Sequence, residues 1–178
     1  MKWFTLEAHK QSDDGESTWD TTLAEYQDHL DSILDCLPAD LATFARDSRY
    51  HLHDAELRQV AVDSLAQTVE MDLYIIDGRR LHLNFAGAKL VPGDPATLAG
   101  IVGMTADDHA YTEVCDQEID LTPDGLFVLR LELFSYLPAL TEFAVEFKTF
   151  ALSCRDMTPA ELAGRWDEAR PGALIFTA

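Results

Sequence analysis

His51-Leu52-His53-Asp54 is the densest grouping of residues able to do chemistry in this chain. In an extended segment two imidazoles two residues apart point the same way. The adjacent carboxylate can fix an imidazole tautomer, and the group supplies two nitrogens and an oxygen of the kind a metal ion takes. A complete site needs further ligands, which His82, Asp72 or Glu70 could supply from a neighbouring sheet. The simpler reading is structural: Asp54 caps backbone amides at the start of a strand, and the histidines pack at its edge.

The second grouping is acidic. Asp107, Asp108, Glu113, Asp116, Glu118, Asp120 and Asp124 fall in one stretch without Lys or Arg. In a strand, Asp116, Glu118 and Asp120 share a face. Three carboxylates there could take Ca²⁺ through hard oxygens, or meet a basic protein whose complementary charge speeds association. An EF-hand loop is excluded, because Leu121 stands where that loop needs glycine. The plainer reading is a solvated edge strand whose charges block sheet-to-sheet aggregation.

A third set is the polar side of a sheet: Glu70, Asp72, Tyr74, Arg80, His82, Asn84, Arg130, Glu132, Glu146 and Lys148, with Phe134 and Tyr136 adding aromatic area. Such a face suits an interface, or is the wet side that antiparallel sheets often have. Cys154-Arg155-Asp156 places an arginine beside a thiol, yet its position at a strand end favours a packed cysteine. No GxSxG elbow, P-loop, GxGxxG or HExxH motif occurs, which points away from an enzyme.

These residues need elements to position them. Lys2 to Ala8 reads as a strand and Gln11 to Ser17 as a loop. Thr18 can cap a helix whose stripe is Trp19, Leu23, Tyr26, Leu30, Ile33, Leu34 and Leu37. Pro38 ends it and begins a shorter helix burying Leu41, Phe44 and Ala45. From residue 56 the period becomes two. Asp77-Gly78 predicts a tight hairpin with both turn residues at positive φ, followed by Leu81, Leu83 and Phe85 on one face and Arg80, His82 and Asn84 on the other.

A connection over 91–110 with a short helix near Thr97 to Val102 leads to strands over 111–121, 126–137 and 142–153. Pro123-Asp124-Gly125 is a turn, Thr158-Pro159-Ala160-Glu161 a capping box opening a helix to about residue 168, and Ala173 to Thr177 a final edge strand. The expected fold is one α+β domain over 1–178. Its antiparallel sheet has about five to seven strands built from hairpins, and the N-terminal helices cover one face.

The 178 residues include 32 acids against 13 Lys and Arg, a net charge of −19. Such a surface repels nucleic-acid phosphates and anionic membranes and attracts basic proteins. Three scattered cysteines, Cys36, Cys115 and Cys154, support neither a disulfide scaffold nor a zinc ribbon. Reduced thiols, with no apolar run of signal-peptide or membrane-spanning length, predict a cytoplasmic protein.

Met1-Lys2-Trp3-Phe4-Thr5 and His53-Asp54-Ala55-Glu56-Leu57 resemble bacterial domain families of unassigned function. Those families have an MKYFT-like start and a His-Asp-Ser/Ala-x-hydrophobic element before an antiparallel sheet. Similar small acidic proteins act as immunity proteins of contact-dependent toxin systems. The resemblance implies an α+β fold and no catalytic residue. The expected function is thus a non-enzymatic, immunity-like module that binds a basic partner through its acidic surface, without a cofactor. The alternative is a metal-binding protein or metal-dependent enzyme centred on His51, His53 and Asp54.

Overall fold

The structure is a computed structural model that describes residues 2–5, 16–91, 93, 112–134, 141–164 and 173–177. Period-two patterning after residue 55 becomes strands as expected. They are β1 (Ala55–Asp63), β2 (Thr68–Ile75), β3 (Arg79–Ala86), β4 (Lys89–Val91), β5 (Thr112–Leu121), β6 (Phe127–Phe134), β7 (Thr141–Phe147), β8 (Thr149–Asp156) and β9 (Ala173–Thr177). Helices α1 (Glu16–Ile33) and α2 (Ala39–Arg46) precede them, and α3 (Pro159–Ala163) lies between β8 and β9. The class is α+β.

The strand order is β4-β7-β6-β5-β1-β2-β3-β8, with β9 added beside β1. Two joints explain why nine strands stand where the sequence predicts five to seven. Gly87 and Ala88 separate β3 from β4, and Lys148 alone separates β7 from β8. The predicted strand over 142–153 is therefore two strands. Ala86 pairs with Thr149 before the joint and Lys89 with Glu146 after it, so one antiparallel register runs through both bends. Gly87 makes its bend at φ +58°, and a Cβ there would sit 2.9 Å from Lys148 Cδ.

Because β3 and β4 are one bent segment, and β7 and β8 another, the ladder closes. Neighbours run from β1 through β2, β3/β4, β7/β8, β6 and β5 back to β1. The seam is short: β1 meets β5 only at Ala55–Val114, Glu56–Glu113 and Leu57–Thr112. Beyond it, Gln59 to Asp63 turn their edge to β9, in parallel.

The alternation decides what lies inside. Leu81, Leu83, Phe85, Leu129, Leu131, Val145 and Phe147 are fully buried, and Leu30, Leu37, Leu41 and Phe44 from the helical segment join the same core. Phe85 packs 4.9 Å from Phe147 and 5.3 Å from Phe150, and Phe44 lies 5.5 Å from Phe150, which ties α2 to β8.

Several local expectations are corrected. Lys2 to Thr5 form bends, not a strand, and residues 6–8 lie outside the described set. Helix α1 starts at Glu16, so Thr18 lies within it and is not its cap. The loop expected over 11–17 falls otherwise on residues 11–15, outside the described set, as does the connection helix near 97–102. In the β2–β3 hairpin Ile75 pairs with Arg79, leaving a three-residue loop in which only Gly78, at φ +88°, is left-handed. The extra residue lets an ordinary turn precede one left-handed position. The Thr158–Glu161 capping box forms as expected, but α3 ends at Ala163, before Gly164.

Replacing Phe85 with alanine empties the point where both bent strands and α2 meet. Urea denaturation is expected to show a loss of about 3–5 kcal/mol.

Candidate functional site

The tertiary fold divides the predicted histidine cluster. His51 and His53 stay together, ring centroids 6.2 Å apart, at the entrance to β1. His53 Nδ1 lies 2.6 Å from the Cys115 carbonyl oxygen, and its Nε2 3.7 Å from Asp54 Oδ1. The carbonyl can only accept, so Nδ1 carries the proton. Asp54 takes φ +60° and its N–H donates to the Val114 carbonyl, which fixes the turn into β1. His82 instead stands on β3, opposite Asp72, with Nδ1 3.3 Å from Asp72 Oδ1. Among the described residues no group of three His, Cys, Asp or Glu side chains is placed to hold a metal ion.

His51 and His53 border a groove of about 360 Å³ between α1 and β5. Phe4, Trp19, Leu23 and Tyr26 form its apolar wall, and Gln27, Asp116 and Gln117 add polar groups. It exists because β5 outruns its partner. Past Val114 side chains bond across the β5 edge: the Tyr26 hydroxyl accepts the β5 Ile119 N–H at 2.9 Å, and Gln117 Oε1, from β5 itself, accepts the Leu52 N–H at 3.0 Å. Partial burial pushes His51 down, and nearby His53 adds to the effect. Burial raises Tyr26 well above the usual phenol range.

The acidic run is not the solvated edge strand expected. Strand β5 lies between β6 and β1, Glu118 is wholly buried and Asp120 nearly so. Glu118 is the anchor of the N-terminal segment: the backbone N–H groups of Lys2, Trp3 and Phe4 all donate to its carboxyl oxygens, at 2.7 to 2.9 Å. Asp120 accepts from Arg130 at 3.1 Å and from the Leu121 N–H at 2.8 Å, with His29 Nε2 2.9 Å away. Trp3 closes the cluster, 4.4 Å from the His29 ring. Asp124 is exposed in its turn, whereas Asp107 and Asp108 lie outside the described residues. Burial pushes the Cys115 thiol up to about 12, helped by Glu132 and Asp116, so it is no nucleophile at neutral pH.

The polar sheet face is therefore two surfaces. Over β5 and β6 the carboxyl groups of Glu118, Asp120 and Glu132 are buried. Over β2, β3 and β8 a second groove, of about 400 Å³, is lined by Asp72, Arg80, His82, Ser153, Cys154 and Arg155. Arg80 grips Asp72 at 3.1 and 2.9 Å and reaches Glu161 of α3 at 3.1 Å. Arg155 bonds the same Glu161 at 2.6 and 2.8 Å, and these contacts hold its carboxyl far below the usual range. Cys154 borders the groove and is also packed against the core, as its strand position implies. Tyr136 and the Phe134 side chain lie outside what is described.

No described helix is long and apolar enough to cross a membrane. No protein-family model, curated protein or solved structure matches the chain.

Asp120 supplies a pH test. Burial alone would raise its pKa, but the Leu121 N–H and Arg130 outweigh burial and leave it depressed. A depressed carboxyl stabilises the fold above the unfolded value near 4 and loses that contribution as pH falls through the lower folded value. Asp120→Asn is expected to cost about 1–3 kcal/mol at pH 7, a gap that narrows below about pH 4 in denaturation curves.

Proposed function

We propose that this protein works by binding a basic segment of another protein in the groove between α1 and β5. The observation that carries the reading is the composition of the groove. An aromatic wall of Phe4, Trp19 and Tyr26 shares it with Asp116, His51 and His53, and the helix on one side carries no Lys or Arg. Gln27, inside the groove, donates to exposed Asp31 at 3.3 Å, and Asp20 lies two turns back on the same flank. Rings beside carboxylates suit a guanidinium or ammonium, which gains both ring-face attraction and charge. The net charge of −19 draws such a partner in from a distance.

An immunity-like role, with a basic toxin as partner, follows from the resemblance of Met1–Thr5 and His53–Leu57 to such families. The metal alternative has no comparable support, since His82 is apart from His51 and His53.

A labelled Arg/Lys-rich peptide is expected to bind with an affinity that falls as salt rises, while an acidic peptide of equal length does not bind. Trp19→Ala should weaken binding by about 2 kcal/mol. Gln27→Lys, an exposed change with no core role, should weaken it as well. Equal binding of both peptides, or binding indifferent to Gln27→Lys, would overturn the reading.

A further inference from the structure

On the outward side of the sheet, three adjacent strands set Asp72, His82 and Ser153 directly opposite one another. Asp72 pairs with His82 across β2 and β3, and His82 with Ser153 across β3 and β8. Directly opposed residues hold their Cβ atoms about 5 Å apart. All three side chains line the same groove of about 400 Å³.

The order of the row matters. Asp72 Oδ1 stands 3.3 Å from His82 Nδ1. A carboxylate in that place accepts the Nδ1 proton and leaves the Nε2 lone pair available. Asp72 is itself fixed by Arg80 through two hydrogen bonds, and Arg80 by Glu161. Glu161 is fixed in turn by Arg155 and by the Thr158 N–H at 2.8 Å. Ser153 is exposed, and no described group hydrogen-bonds its hydroxyl. Its strand position directly opposite His82 sets the two side chains side by side, and such bonds commonly tighten only on substrate binding.

Arg80 and Arg155 each make three hydrogen bonds to protein acceptors. A guanidinium has five N–H donors, so both keep donors for an oxygen in the groove.

The geometry points to a nucleophilic serine site that hydrolyses small carboxylic esters. Ser153 Oγ attacks the carbonyl carbon and its proton passes to His82 Nε2. The carbonyl oxygen takes up the negative charge, facing Arg80 and Arg155. The bond to the leaving alcohol then breaks, and the alcohol departs with the proton from His82. Water attacks the acyl-serine in the same way, giving the acid and restoring Ser153. Ester and water become acid and alcohol, with no other reactant. This groove is separate from the one proposed to bind a basic segment, and the two assignments fail independently.

The test is reaction of the full chain with a fluorophosphonate probe, the adduct being located by peptide mass spectrometry. Hydrolysis of p-nitrophenyl acetate is followed alongside. Labelling is expected at Ser153, and it should vanish in both Ser153→Ala and His82→Gln. Hydrolysis should fall at least about 100-fold in each. Ser153 is exposed, so Ser153→Ala should unfold in urea like the parent protein, which separates lost chemistry from lost fold. Absence of a Ser153 adduct in the parent chain, or unchanged hydrolysis in Ser153→Ala, would overturn the assignment.

Discussion

Where the segment Arg79–Val91 lies against Thr141–Asp156, both strands bend at the same level and keep one register through the bend. The constraint is steric as much as hydrogen-bonded. Gly87 has a left-handed backbone and no side chain, and Lys148 occupies the space a Cβ would need. Once both strands turn there, the first and last parts of the ladder join. Leu81, Leu83 and Phe85 must then face Val145 and Phe147 inside. Every polar row described here is the outer side of that arrangement, because side chains alternate along each strand.

Closure is tight at that joint and loose at the other. Only three residue pairs hold β1 to β5, and the free β5 edge would expose backbone groups that need partners. Tyr26 serves the Ile119 N–H and His53 the Cys115 carbonyl, while Gln117 on β5 accepts the Leu52 N–H, and together these bonds bring α1 and the loop before β1 into one groove. Glu118 extends the same logic to the N-terminal segment. A wholly buried carboxyl group is costly without donors, and three consecutive N–H groups supply them. Phe4 reaches the groove wall because of that anchor. An acid buried for structural reasons thus shapes the groove without lining it.

The two grooves differ in electrostatic character. Rings dominate the one beside α1, with Asp116 its one acid, whereas the one over β2, β3 and β8 is a compensated network in which two arginines balance Asp72 and Glu161. The first is bordered by the exposed acids Asp20 and Asp31 of α1. The second holds its groups in fixed positions, which is what positioned chemistry requires more than long-range attraction.

The sequence by itself determined the elements whose signals are local. Alternation over Val69–Ile75 and Leu81–Phe85, the capping box at Thr158 and the turn at Gly125 all depend on residues close together in the chain. The bends were not among them, since 142–153 is expected as one strand, although the structure shows the pattern that marks them. Buried positions change from odd to even numbers between Phe85 and Ala88 on one strand, and between Phe147 and Phe150 on the other. That change of parity means the chain has turned over. Which strands pair was decided only by tertiary structure, since pairing joins residues remote in sequence. For that reason Glu118 and Asp120, which read as solvent-facing acids, are buried against Lys2–Phe4 and Arg130. For the same reason His82 leaves His51 and His53 and joins Asp72 and Ser153, because a side chain's neighbours across a sheet are set by register and strand order, and neither is written in any one segment.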